Sequence, residues 1–171
     1  MKSSNGIGAL RTLCGYTFEQ YTYIILSNSG IFNICELVDK DQNISHNSST
    51  GILILIKHKE KVFHNYNEIG NLNMYYCSYF MNNESINVVI LPDMIFQMIV
   101  SESHPIKYNG LLETKSRLRI KMKLYFVVSD DKYDLFIYKQ AITISDGQPT
   151  VMKWALNMKQ YVLKVYLNIN E

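Results

Sequence analysis

The sequence predicts an α+β fold: a β-rich single domain with mainly antiparallel strands and hairpins and one or two helices. Apolar content of 47% and charged content of 19% are typical of a globular chain. Short runs rich in Ile, Val, Tyr and Phe recur between turn signals such as SNSG (27–30). A sandwich or barrel is the alternative. We expect a flexible N-terminal tail over residues 1–12 and one globular domain over residues 13–171.

The first half of the domain is predicted to form two hairpins. YTFEQYTYIIL is rich in strand-forming residues, and a second apolar run follows the SNSG turn. GILILIKH predicts a strand after the polar loop 39–50. A further hairpin is predicted around the polar NNE turn. The five predicted strands span residues 16–26, 31–38, 51–58, 72–81 and 85–91.

The clearest helical spacing lies at 91–104, LPDMIFQMIVSESH. Pro92 and Asp93 suit the first turn of a helix, and four apolar residues fall on one face. Residues 135–144 are predicted to pair with the strand at 115–131, which they follow. The last segment fits either a helix or a strand, and we favour helix or irregular structure to Met158 and a strand beyond it.

The most distinctive pattern is KSRLRIKMKLYFVVSDD (115–131), in which basic and apolar residues alternate from Arg117 to Leu124. A strand repeats every two residues, so the pattern predicts a basic face opposite an apolar one. Extended residues two apart lie roughly 6.5–7 Å from each other, close to the spacing of phosphates along a nucleic-acid strand. An exposed sheet edge protected by lysines is the alternative interpretation. The candidate residues for binding RNA, lipid or another anion are Lys115, Arg117, Arg119, Lys121, Lys123 and Tyr125.

Patterns typical of enzymes are absent from the sequence. It has no G-x-S-x-G turn, no complete glycine-rich nucleotide loop and no H-E-x-x-H. KHKEKVFHNYNE (57–68) holds two histidines and two glutamates, but the spacing favours a charged strand end over a metal site. We therefore predict a non-enzymatic protein with no catalytic residues, metal, cofactor or small-molecule substrate.

Composition also predicts a location and a partner. The odd number of cysteines, Cys14, Cys35 and Cys77, predicts reduced and buried thiols in an intracellular protein. No secretory signal and no apolar run of about 20 residues is present, so we expect neither secretion nor a transmembrane segment. Thirteen tyrosines, several in the predicted hairpins, favour self-association into a homo-oligomer.

RLRIKMKLYFVVSDDKYD (117–134), an alternating strand that runs into an acidic turn, resembles the matrix proteins of negative-strand RNA viruses, among which the rhabdovirus type is closest in size. The chain lacks the proline-rich N-terminal motif of several members. The resemblance implies a viral structural protein of the host cytoplasm and virion, which self-associates and bridges nucleoprotein or RNA to an anionic membrane surface. The alternative is a small viral accessory module that binds a host or viral protein, with the basic strand only a solvated edge.

Overall fold

An eight-stranded sheet lies at the centre of the computed structural model, which describes residues 4–40, 50–79, 86–101, 104–118, 121–144 and 151–167, with side chains from residue 13 onward. The predicted α+β class and single domain are confirmed. The helices are α1 (Ser4–Ser27), α2 (Tyr108–Lys115), α3 (Asp130–Tyr133) and α4 (Lys153–Leu156). The strands are β1 (Gly30–Glu36), β2 (Thr50–Leu55), β3 (Lys59–Phe63), β4 (Met74–Ser78), β5 (Val88–Ile90), β6 (Met94–Met98), β7 (Ile106–Lys107), β8 (Lys123–Ser129), β9 (Ile142–Thr143) and β10 (Lys159–Val165).

The sheet is mixed, whereas the sequence predicted mainly antiparallel pairing. Its strand order is β2-β1-β10-β8-β6-β5-β4-β3, and β7 and β9 form a separate pair. Strands β6, β8 and β10 run parallel to one another, as do β3 and β4 and the β7–β9 pair. Parallel neighbours need crossover connections, and the segments that carry α2, α3 and α4 supply them between β6, β8 and β10.

The predicted first strand, residues 16–26, is wrong because this segment belongs to the long helix α1. Phe18, Thr22 and Leu26 are spaced four residues apart and are all buried, which is a helical period. Strand propensity is therefore overridden by packing of this face against the sheet. The helical backbone begins at Ser4, within the segment expected to be a tail.

The predicted helix at 91–104 is also wrong. Residues Met94–Met98 form β6, which lies between β5 and β8. A central strand covered on both faces is apolar at consecutive positions, and such a run imitates one face of a helix. The helix on this part of the chain is α2, which begins at Tyr108, after the segment that was predicted to be helical.

Residues 135–144 do not pair with the strand that precedes them. Strand β8 has β10 and β6 as its neighbours, while β9 pairs with β7 and Tyr138 forms a single bridge to Val38. The strands β1, β2, β4 and β5 are confirmed, as is the change from helix to strand at Met158. The structure does not describe residues 41–49, most of the predicted polar loop.

Each face of the sheet has its own apolar core. Helix α1 places Leu26 on one face, beside Phe96 and Tyr125. The opposite face packs against α2 and the segments around it, through Leu111 and Met158 among others. On the α1 face, Phe96, Tyr125 and Tyr161 occupy register positions on β6, β8 and β10 and stack with ring centroids 5.1 Å apart at each step. This ladder ties the three parallel strands together.

Candidate anion-binding groove

Lysines gather where the parallel strands β8 and β10 begin. Lys123 and Lys159 are the first residues of these strands and lie opposite each other in the register. Strands that run in the same direction start at the same end of the sheet, so their first side chains meet there. A groove of about 620 Å³ opens at this end. We call it the lysine–aromatic groove; its lining includes Lys115, Lys121, Lys123, Lys159, Trp154 and Tyr161.

Carboxylates hold two of these lysines in place. Lys123 Nζ lies 2.8 Å from Asp93 Oδ2, and Lys159 Nζ lies 3.0 Å from Glu36 Oε2. The hydrogen bond to Glu36 raises the pKa of Lys159, so this side chain stays charged at neutral pH. Lys121 lines the groove as well and is exposed. The arrangement positions ammonium groups on one concave surface, where they can meet an anion together.

Two aromatic rings line the groove beside the lysines. Trp154 is on α4, where its ring lies 6.3 Å from that of Tyr108 and 5.8 Å from Lys115 Nζ. The Tyr161 ring is the outer end of the aromatic ladder and is half-buried. The buried side chains of Met122 and Met158 also line the groove. Flat rings next to ammonium groups suit a ligand that has both a planar and an anionic part.

The structure brings together only some of the predicted site residues. Lys115, Lys121 and Lys123 line the groove, but they come from the end of α2, a loop and the start of β8, not from one strand. Tyr125 is 3% exposed within the aromatic ladder, and burial raises its pKa. Arg117 follows α2 outside the groove lining, and Arg119 lies outside the described residues. The predicted continuous basic face is wrong because β8 begins only at Lys123, and the described basic residues before it lie at the end of α2 and in the segment that follows.

Sequence reasoning missed Trp154, Lys159 and Tyr161. They lie more than thirty residues beyond Lys121, and only the parallel pairing of β8 with β10 brings them to it. Lys139 lies outside the groove lining and pairs with Asp39 at 2.9 Å. The one available signal was Trp154, the only tryptophan in the chain, placed five residues before a lysine.

A second polar cavity, of about 260 Å³, lies beneath α1. The Glu19 carboxylate there is buried and accepts hydrogen bonds of 2.7 Å from the Tyr23 hydroxyl and the Asn87 amide. Asn87 in turn accepts a bond from the Met98 amide. The network joins the helix to β6 and satisfies the buried carboxylate, so it anchors α1 to the sheet.

The segment with two histidines forms β3 and a short turn. The Glu68 carboxylate accepts hydrogen bonds from the backbone amides of His64 and Asn65, which makes it a cap for the turn. Within the described residues, no group of three or more potential ligands is placed to hold a metal ion.

The thiols differ in exposure, and the expectation that all three are buried is wrong for Cys14, which is exposed. Cys35 and Cys77 are half-buried. Burial, with a smaller contribution from Glu60, raises the pKa of Cys77 to about 12. A thiol with so high a pKa is a poor nucleophile at neutral pH.

No protein-family model matches the chain, and neither the curated proteins nor the solved structures include a significant match to it. The resemblance to matrix proteins stays a prediction. Among the helices that the structure describes, none combines the length and apolar character of a membrane span.

Proposed function

We propose that this is a non-enzymatic RNA-binding protein that holds a single-stranded segment in the lysine–aromatic groove. One observation carries the proposal: four lysines and two aromatic rings line the same concave surface of about 620 Å³. Proteins that bind single strands combine a basic groove for the backbone with rings on which bases stack. In this arrangement the lysines meet phosphates, and a base lies against Trp154 or Tyr161.

The shape of the groove favours a single strand over a duplex. A recess of this volume is in the range of sites for small molecules, so it takes one or two nucleotides at a time. Four lysines contact few phosphates, and the net charge of the chain is only +2. We therefore expect modest affinity per protomer, a steep loss with salt and little sequence preference.

This activity fits the predicted matrix-like role, in which many weak contacts with RNA or nucleoprotein are joined by self-association. Avidity then raises the total affinity without new contacts. The alternative of an accessory module relied on the basic strand being a solvated edge. Strand β8 is instead an interior strand of the sheet, so its one lysine, Lys123, does not protect a sheet edge.

An anionic membrane surface is the second candidate ligand, and one observation favours it. Met152 and Leu156, on either side of Trp154, are both more than half exposed. A tryptophan flanked by exposed apolar side chains and neighbouring lysines suits the boundary between lipid headgroups and acyl chains. Each lysine near such a surface contributes about 1 kcal/mol to binding.

Charge removal tests the RNA proposal. Lys115→Gln with Lys121→Gln removes two groove lysines, and Lys57→Gln with Lys59→Gln is the matched control on exposed residues near the sheet edge that β3 forms. For single strands, each phosphate contact contributes about 0.7 to the slope of log K against log salt, so losing two contacts lowers affinity roughly 25-fold at 0.1 M salt. Binding of an oligouridine is followed through the fluorescence of Trp154. Equal affinities for the two double variants would refute the assignment of the groove.

Substitutions of Trp154 distinguish the contribution of base stacking to RNA affinity from that of charge. Trp154→Ala removes a stacking surface worth about 1–3 kcal/mol per base and leaves the salt slope unchanged, whereas Trp154→Phe retains most of the affinity. Fluorescence anisotropy of a labelled oligouridine measures both variants, and circular dichroism checks that each is folded. A Trp154→Ala variant with wild-type affinity would show that no base stacks on this ring.

Vesicles distinguish the second candidate. If the membrane is the ligand, the wild type floats with phosphatidylserine vesicles and Leu156→Ser abolishes flotation, while oligouridine binding is absent. If RNA is the ligand, Leu156→Ser leaves oligouridine affinity unchanged. Neutral phosphatidylcholine vesicles are the control for nonspecific adsorption.

A further inference from the structure

An uncharged apolar surface covers the end of the sheet formed by β1 and β2. Ile31 on β1 lies opposite Ile54 on β2, and Asn33 lies opposite Ile52. These residues share one face of the two-stranded segment, and Ile56 follows directly after β2. We call this surface the isoleucine face. Its isoleucines, Ile31, Ile52, Ile54 and Ile56, are 64–73% exposed.

The isoleucine face extends the core that α2, α3 and α4 cover elsewhere. Cys35, two residues after Asn33 on the same side of β1, packs against that core. Helix α3 lies over β8 and β10, the next strands of the sheet. The apolar side chains thus continue past the last covering helix. An exposed group of this size on one sheet face is typical of an interaction surface.

We propose that the isoleucine face packs against the same face of a second copy of this chain, forming a two-fold symmetric dimer. In such a dimer both copies use the same surface, and every contact occurs twice, once from each copy. The isoleucines of one copy therefore pack against the isoleucines of the other. The β1 segment Gly30–Ile34 and the β2 segment Thr50–Ile56 carry no charged residue. Two copies therefore approach without repulsion between like charges at the centre of the contact.

The available area is enough for a weak dimer. Full burial of an isoleucine side chain removes on the order of 100 Å² from water, so eight isoleucines across the two-fold axis supply most of the about 1,000 Å² that a specific interface needs. Two sheets that stack face to face lie about 10 Å apart, a distance that interdigitated isoleucines fill. Of the tyrosines in the second predicted hairpin, Tyr75 and Tyr76 are buried and only Tyr79 is exposed, so the isoleucine face offers the larger apolar contact.

Charge at the other end of the sheet explains why the second copy meets the same face and not the opposite edge. Strand β3 ends the sheet there and begins Lys59-Glu60-Lys61, all exposed. A contact between the isoleucine face and this charged strand would bury lysines without carboxylate partners on the isoleucine side, which is costly. The symmetric contact avoids that cost, and because it uses the same face of both copies it limits the assembly to a dimer.

Sedimentation velocity of the full chain, from low micromolar to several hundred micromolar concentration, tests the dimer. The wild type is expected to shift from monomer to dimer. Ile52→Thr with Ile54→Thr keeps β-branched side chains for the strand and is expected to weaken the dimer on the order of 30-fold. Val62→Thr, half-exposed on β3, is the matched control and is expected to dimerise as the wild type does.

Three experimental outcomes would contradict the dimer proposal. A wild type that stays monomeric throughout, or a double threonine variant that dimerises as tightly as the wild type, overturns the proposal. A monomeric wild type that binds vesicles through the isoleucine face also overturns it, in favour of a lipid partner. The RNA proposal and the dimer proposal can fail independently. If only the RNA proposal fails, the variant that carries Lys115→Gln and Lys121→Gln still dimerises. If only the dimer proposal fails, the double threonine variant still binds oligouridine.

Discussion

In strands β8 and β2, the burial of the side chains is the opposite of what the sequence pattern of each strand predicts. The segment leading into β8 alternates basic and apolar residues, the pattern of a half-exposed strand, yet from Leu124 to Ser129 the strand is buried on both faces. GILILI is a continuous apolar run, the pattern of a buried strand, yet β2 ends the sheet and exposes Ile52 and Ile54. Burial follows the position of a strand in the sheet order, which the residues of one strand do not reveal.

The different positions of β8 and β2 in the sheet also determine where each proposed binding surface lies. Because β8 is interior, its one basic residue, Lys123, lies at its beginning, where β10 adds Lys159 and Tyr161 and α4 adds Trp154. Because β2 is terminal, its apolar residues remain available to a partner. The two regions thus divide the proposed roles: polar binding at the strand ends and apolar association at the sheet end.

Hydrogen exchange gives the largest expected difference between the two strands. Amides of β8 are bonded to β6 and β10 and are expected to open only with global unfolding, whereas among the described strands β2 has a neighbour, β1, on one side only. With a global stability of about 5–15 kcal/mol, protection in β8 is expected to exceed that of the outward β2 amides by at least about 5,000-fold. Exchange followed by NMR at low micromolar concentration measures this. Similar protection in both strands would contradict the sheet order.

Matched apolar truncations come next in size. Phe126 on β8 is fully buried, and the centroid of its ring lies 5.3 Å from that of Phe136. We therefore expect Phe126→Ala to lower the free energy of unfolding by about 3–5 kcal/mol. Ile52→Ala on β2 is expected to change it by no more than about 0.5 kcal/mol, because the side chain is mostly in water. Urea unfolding of dilute protein compares them. Equal costs would show that β2 is covered in the monomer.

Alkaline pH tests the burial of β8 through Tyr125. Burial, then Tyr161 and Asp93, raises its pKa above the ordinary value of 10. The unfolded chain therefore loses this proton first, so the stabilising contribution is complete below pH 10 and is lost as the pH rises further. Above pH 10 the group contributes a loss of up to about 1.4 kcal/mol per pH unit. Tyr125→Phe is expected to flatten this fall in urea unfolding. Tyr79→Phe, at an exposed position, is the control, and an unchanged slope in Tyr125→Phe would argue against burial.

The smallest expected effect concerns the ion pair at the start of β8. Lys123 and Asp93 are 2.8 Å apart, but their side chains are 41% and 18% exposed, so solvent screens the pair. Lys123→Ala is expected to cost about 0.5–1 kcal/mol, and Lys57→Ala, an exposed lysine after β2, close to none. Thermal unfolding at low and high salt measures both. A cost that persists unchanged in high salt would mean that Lys123 stabilises the protein by packing instead of charge.

Part of this molecule is determined by its sequence alone. Apolar runs bounded by turns specify β1, β2, β4 and β5, because strand-forming side chains and turn residues act over short distances. Three lysines of the groove were also identified, because an alternating run of charge is visible in one segment.

Tertiary structure decided the rest. Residues 16–26 form a helix because Phe18, Thr22 and Leu26 pack on the sheet, and Met94–Met98 form a strand because two strands flank them. The groove exists because parallel pairing sets Lys159 opposite Lys123 across 36 positions of sequence. Long-range pairing determines which strand is interior and which is terminal, and burial, exposure and the meeting of distant side chains all follow from that order.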